Sequence, residues 1–241
     1  LIMAAVSVVG CHKTEVKVDR PASAQGFPAA DRPVSQIRSN AFSTEARRDS
    51  VNEARLVMAM AAIQPGMTVA DIGAGEGYYT VRLAPMVGAR GRVLAEDIDR
   101  AVLVRLGDRV ARDRLDNISI IQGDEADPHL PDGSFDRIFL VHMYHEVREP
   151  YAFLWHLRPA LRKNGRVILV DSDRPSDAHG IPPAQAFCEF AALGFRLTQF
   201  VRKPEITGYY AQFELAGGRP SATAIKPCKD TVNNNAKAIL P

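Results

Sequence analysis

Residues 69–80 read VADIGAGEGYYT, a short apolar run broken by Asp71 and followed at once by Gly73, Gly75 and Gly77. Glycines alternating at the end of a strand let the backbone take positive φ and approach a neighbour that a Cβ would exclude. The stretch therefore reads as a strand-to-helix turn with something held against its backbone. A dinucleotide, a nucleoside triphosphate, a nucleoside-like cofactor, or no ligand at all would each suit such a turn.

Around this turn, strand and helix alternate. MTVADI (67–72), RVLAEDI (92–98), NISIIQGD (117–124), SFDRIFLVHM (134–143) and GRVILVDSD (165–173) read as strands. A helix is expected over 43–63 with Ser43 as N-cap, stopped by Pro65-Gly66, and others over 78–87 and 99–115. EPYAFLWHLRPALRKNG (149–165) reads as a helix that Pro159 kinks or splits, and PPAQAFCEFAALG (182–194) as one opened by proline and closed by glycine. FRLTQFVRK and GYYAQFELA follow as two strands with no helix between them. The pattern predicts an α/β fold, a Rossmann-like doubly wound sheet that is mostly parallel and ends in an antiparallel hairpin. Ligands in such folds bind beyond the C-terminal strand ends, where strand order reverses.

The chain has 241 residues, 46% hydrophobic and 24% charged, with 30 basic and 28 acidic side chains. Those values suit one sizeable core and exclude wholesale disorder. The near-balance of charge gives no footprint for nucleic acid, and none is expected as a partner. Residues 1–11 (LIMAAVSVVGC) form an apolar leader too short to span a bilayer, closing on small residues and Cys11. The leader resembles a bacterial lipoprotein signal, which implies lipidation of Cys11 and a membrane tether facing the periplasm. A miscalled start of a cytoplasmic chain stays open beside it. Residues 12–41 are polar and Pro/Ala-rich and are expected to be a flexible linker; 42–215 form the domain, and 216–241 a disordered tail. Three cysteines without close spacing give no zinc or redox signature; Cys188 reads as a core residue, and a bridge to Cys228 stays open for an oxidising compartment, with nothing in the spacing to support it.

A phosphate-cradling loop needs GxxxxGK[ST], and Tyr78 follows Gly77 instead of lysine. The dinucleotide pattern GxGxxG places its third glycine where Tyr79-Thr80 stand, which weakens but does not remove that reading. DIGAGEGYYT resembles the cofactor loop of the class I S-adenosylmethionine-dependent methyltransferases, written as an acidic residue, an apolar residue and GxGxG. The resemblance runs over roughly Thr44 to Leu215, through PDGSFDRIFLVHMYHEV, LRPALRKNGRVILVDSD and AHGIPPAQAFCEFAALGFRL, where a bacterial subgroup of the family is matched; KNG replaces the usual LkPGG turn. It implies S-adenosylmethionine as cofactor, with Gly73, Ala74, Gly75 and Gly77 against its methionine and ribose and Asp71 holding the loop and the ammonium end. It places Asp97 and Ile98, after the second strand, on the ribose side. Asp124 falls on the adenine amino group with Glu125 beside it, and Tyr79 and His142 complete the cofactor contacts.

Methyl transfer from a sulfonium needs a base only if the acceptor must lose a proton. VHMYHEV leaves the fourth strand at the mouth of the expected site, so His145, His142 and Tyr144 are the candidate catalytic side chains. No NPPY-like stretch replaces VHMY, which argues against exocyclic amino acceptors. HMYHE and HEVRE lack metal-ligand spacing, and no metal is expected. The reading is an S-adenosylmethionine-dependent methyltransferase acting on a small or lipid-soluble acceptor. Its rivals are a catalytically inactive protein binding S-adenosylmethionine or S-adenosylhomocysteine, and an NAD(P)-dependent oxidoreductase. Nothing in the sequence speaks to the oligomeric state.

Overall fold

The computed structural model describes residues 20–36, 44–206 and 208–229. The leader with Cys11, residue Ser43 and residues 230–241 lie outside them. Seven strands form one sheet in the order β3-β2-β1-β4-β5-β7-β6. They are β1 Thr68–Ile72, β2 Arg92–Asp97, β3 Ile118–Gln122, β4 Phe135–Val141, β5 Leu161–Asp171, β6 Phe195–Lys203 and β7 Gly208–Leu215. The pairs β1–β2, β2–β3, β1–β4 and β4–β5 are parallel, whereas β7 runs antiparallel to both β5 and β6. The expected doubly wound sheet with a C-terminal hairpin is therefore present. Strand order reverses at β1, between β2 and β4, and a crevice opens there at the carboxyl ends.

Side-chain alternation along the central strands builds two cores. Ala70 and Ile72, Ile138 and Leu140, and Val167 and Leu169 face helices α5 Pro150–Leu157 and α6 Pro183–Ala192, where Tyr151, Leu154 and Phe190 are buried. Val69, Phe139, Ile168 and Val170 face α2 Glu53–Met60 and α3 Thr80–Val87, against Val57, Leu83 and Val87. Both faces of a parallel sheet must be covered, which is why these strands read as continuous apolar runs. Helix α4 Arg100–Arg112 closes the β2–β3 edge with Leu103 and Leu106.

Three expectations need correction. The single helix over 43–63 is two: α1 Glu45–Ser50, capped by Thr44 whose hydroxyl accepts from the Arg47 amide, and α2, with Asn52 between them at φ 54°. Asparagine tolerates the left-handed conformation better than most residues, and the Arg48–Glu53 pair (2.7 Å) bridges the corner. Pro159 ends helix α5 outright: a single 3-10 turn, Arg158–Ala160, leads into β5, which begins at Leu161.

The third correction concerns both chain ends. Within the expected flexible linker, residues 20–36 are a strap seated on the domain. Arg20 binds both carboxylate oxygens of Glu149, Ala24 is fully buried, and Phe27 packs on Trp155 with ring centroids 5.3 Å apart. Arg32 donates from Nε to Glu189 at 2.7 Å with both side chains wholly buried. Within the expected disordered tail, Trp155 Nε1 donates to the Pro220 carbonyl (2.9 Å), Ile225 is buried, and Cys228 is bonded to Cys188 of α6. Asp31 and Lys229 form a parallel bridge, so the two straps touch each other. Neither strap has a repeat because each is fixed by single anchoring residues, not by a helix or sheet period. No helix among the described residues is long and apolar enough to cross a membrane.

The disulfide closes a separation of 40 residues, for which loop-closure entropy predicts about 4 kcal/mol. Cys228→Ser should lower unfolding stability by about 2–4 kcal/mol, read as the shift of the urea midpoint. Reductant should reproduce that loss in the native chain and add nothing in the variant.

Candidate active site

The turn after β1 holds Gly73, Gly75 and Gly77 at φ 63°, 56° and 86°. A Cβ on Gly73 would stand 3.0 Å from the Met143 side chain, and one on Gly77 would collide with Leu106 Cδ1. At Gly73 and Gly77 the turn thus passes close against the loop after β4 and against α4. Asp71 is buried and accepts from the Thr80 hydroxyl at 2.6 Å, clipping the strand end to the first turn of α3. Burial pushes its carboxyl up to about 6. Asp71 thus braces the loop, the first of the two roles expected of it, and does so from inside the core.

Carboxylates from the ends of β2 and β3 stand beside the turn. Asp97 Oδ2 accepts from the Gly75 amide (2.9 Å) and Oδ1 from the Asp99 amide (3.0 Å). Asp124 Oδ1 accepts from the Ser23 hydroxyl and from the amides of Ala126 and Asp127, and these bonds hold its carboxyl below the usual range despite partial burial. Glu96, which sequence reasoning passed over, is 2% exposed and lines the same cavity. A Cβ on Gly123 would occupy the place of Glu96 Oε1. Burial, then the neighbouring Asp97 charge, raises Glu96 to about 8, so it is neutral near pH 7. Its signal in the sequence is the doubled acid of AED, where one carboxylate suffices for a ribose.

The cavity measures roughly 680 Å³, within the range of small-ligand sites. Gly73, Ala74, Gly75, Asp97, Ile98, Asp124 and Glu125 line its β2–β3 side. Gly77 packs behind the turn, and Glu125 stands 3.9 Å from Arg148. Helix α1 forms one wall through Thr44, Arg47 and Arg48, with Tyr78 behind. Arg48 and Arg82 both lie 3.9 Å from the Tyr78 ring centroid, while Arg109 and Arg82 pair with Glu45. These cations fasten α1 over the cavity, a role visible only once the helix breaks at Asn52.

On the β4–β5 side, His142 sits at φ 56° and its Nε2 lies 3.4 Å from Glu53 Oε2. Burial raises Glu53, yet His142 and Arg48 outweigh it and hold the carboxyl at about 2. His145 is 4% exposed and lines the cavity. Its Nδ1 donates to the carboxylate of fully buried Asp171, with oxygens at 2.9 and 3.1 Å. Burial lowers its pKa, but the hydrogen bond and charge of Asp171 prevail and leave it raised. Nε2 stands 3.9 Å from Glu146 Oε1.

Two expected site residues turn away. Tyr79 is 3% exposed and donates to Glu53 Oε1 (3.1 Å), and Tyr144 is fully buried and donates to Glu189 Oε2 (2.7 Å). Each is a large aromatic whose hydroxyl finds a buried carboxylate, so the core claims it. His179 was not anticipated, since its loop has no period. It lines the cavity with its ring perpendicular to that of His145, centroids 5.7 Å apart.

Residues 69–165 match a family model described as a methyltransferase domain. The chain is similar to the ubiquinone/menaquinone biosynthesis C-methyltransferase UbiE of Shewanella frigidimarina, 29% identical over 123 residues that make up 50% of this chain and 49% of that protein. It thus spans about half the length of the curated relatives it matches. Among solved structures it resembles a SAM-dependent methyltransferase from Aquifex aeolicus, with TM-score 0.62 and 24% identity over 69% of this chain and 90% of that one. It also resembles the (4+2)-cyclase SpnF, with TM-score 0.62 and 14% identity over 81% of this chain and 92% of that one. Residues 69–165 thus carry a methyltransferase domain, and the fold is the one shared by class I S-adenosylmethionine-dependent methyltransferases.

A carboxyl neutral when folded and ionised when unfolded costs stability as pH rises from its ordinary value to its folded one. For Glu96 that window runs from 4.5 to about 8. Glu96→Gln should therefore match the native chain in urea midpoint near pH 4.5 and exceed it increasingly toward pH 8. A pH-independent difference would contradict the buried neutral acid.

Proposed function

We propose that the chain is an S-adenosylmethionine-dependent methyltransferase acting on a small or lipid-soluble acceptor. The observation that carries this reading is the convergence of the Gly73–Gly75 turn, Asp97 and Asp124 on one cavity whose other side presents His145. On this reading the methionine part lies over the glycine turn, the ribose hydroxyls donate to Asp97, and the adenine amino group donates to Asp124 with Ile98 beside the ring. The methyl group then points toward the β4–β5 side. The S–CH₃ bond breaks as the acceptor–CH₃ bond forms in line, and the sulfonium becomes a neutral thioether. Positioning supplies most of the rate, and desolvation favours a step that removes charge. UbiE's name, which concerns quinone biosynthesis, supports a lipid-soluble acceptor.

The Cys188–Cys228 disulfide supports an oxidising compartment, as does the lipoprotein-like leader with its tether at Cys11. That placement, away from the cytoplasmic source of the cofactor, together with the likeness to a cyclase, favours as second reading a protein that binds the cofactor without transferring its methyl group.

Calorimetric titration of the native chain with S-adenosylhomocysteine, with NAD in parallel, tests the cofactor. Micromolar binding of the first alone is expected, weakened by about 1–3 kcal/mol in Asp97→Ala through loss of charge-assisted hydrogen bonds. A folded chain that binds neither overturns the proposal; binding without turnover of any quinol or phenol acceptor favours the second reading.

A further inference from the structure

We propose that His145, Glu146 and His179 form a binding site for a divalent transition-metal ion of zinc's kind, on the β4–β5 side of the cavity. Each offers one ligand atom, and the three atoms lie within 4.8 Å of one another. Two imidazoles and one carboxylate make a donor set that suits zinc, iron or cobalt over magnesium or calcium. Around a tetrahedral ion with bonds of about 2.1 Å, ligand atoms stand roughly 3.4 Å apart. His145 Nε2 and Glu146 Oε1 are already at 3.9 Å, close to that spacing.

The surroundings of the three residues are those of a built site. Because a carboxylate only accepts, Nδ1 of His145 carries the hydrogen toward Asp171. In the neutral ring, Nε2 is then left as the lone-pair nitrogen, facing the cavity. A ligating histidine oriented by a buried carboxylate is the usual arrangement around catalytic zinc. The third ligand is held by the N-terminal strap. Ser35 Oγ accepts from the His179 amide (3.0 Å) and donates to the Ser176 carbonyl (2.5 Å), while the Ser35 amide donates to the His145 carbonyl (3.4 Å). One serine thus sets the spacing between the two histidine-bearing segments. His145 and Glu146 are adjacent, whereas His179 lies beyond β5, so no local spacing in the sequence announces the set.

Three protein ligands leave a fourth position, and since all three line the cavity it opens there. The ligand class for that position is a hydroxyl, thiol or water, whose proton a metal makes easier to lose. Resting on the methyl-transfer reading, the group there is the acceptor's hydroxyl or thiol. It would release its proton to solvent on binding and take the methyl group as the S–CH₃ bond breaks. The metal site itself does not depend on that reading.

The test uses the untagged, chelator-stripped full chain and the metals alone. Cobalt(II) should give visible absorption bands of a low-coordinate N/O site saturating at one equivalent, and zinc should displace them. His179→Ala, on a partly buried loop where folding is not at stake, should weaken binding at least tenfold. Asp171→Asn, a positioning variant, should weaken it roughly ten- to a hundredfold, whereas His156→Ala, whose ring bonds the Ala126 carbonyl elsewhere, should not. Circular dichroism confirms that each variant is folded. Absence of stoichiometric binding, or binding indifferent to His179→Ala, overturns the proposal. S-adenosylhomocysteine titration of the stripped chain reads the cofactor site separately, so failure of one does not obscure the other.

Discussion

Gly73 and Gly77 hold positive φ, and a Cβ at either would press on a neighbouring side chain; the rest of the site depends on that close approach. Met143 closes on the first and Leu106 on the second, so the loop after β4 and helix α4 both take their places from a backbone without side chains. Only then can the Gly75 amide reach Asp97 and the Gly73 amide approach Glu96 at 3.5 Å. The carboxylates are held by the turn as much as the turn is held by them. A larger residue at either glycine would disturb both partners and the strained φ together.

Crowding acids in one corner has an electrostatic cost, and the structure meets it unequally. Asp97 and Asp124 accept backbone amides, which hold the Asp124 carboxyl below its usual range, whereas Glu96, deeper and flanked by Asp97, is pushed up to about 8. A neutral carboxyl can donate as well as accept, so Glu96 adds a donor to a corner otherwise lined by acceptors.

The fold and the corner of glycines and strand-end acids were legible because each rests on a local pattern. The apolar runs of β1, β4 and β5 follow from burial on both faces, and the glycine turn and the strand-end acids Asp97 and Asp124 recur at predictable places along the chain. What escaped reading depends on contacts between distant segments. Tyr79 and Tyr144 look available for chemistry beside the motif residues, yet their hydroxyls are claimed by Glu53 and Glu189 from other elements. Arg20, Arg32 and Ser35 sit in a stretch without period, and their partners Glu149, Glu189 and His145 lie far along the chain. Asn52 gave no warning of a helix break because asparagine is tolerated both inside helices and in left-handed turns.

Ser35, Asp31 and Cys228 make the histidine face a joint between both ends of the chain. Ser35 ties the His145 and His179 segments, its strap meets Lys229 through Asp31, and neighbouring Cys228 is fastened to α6. The same strap reaches the opposite corner, where the Ser23 hydroxyl donates to Asp124. One stretch of 17 residues without a repeat therefore spans the cavity from the strand-end acids to the histidines, and the bond between Cys188 and Cys228 holds down the segment against which that stretch rests.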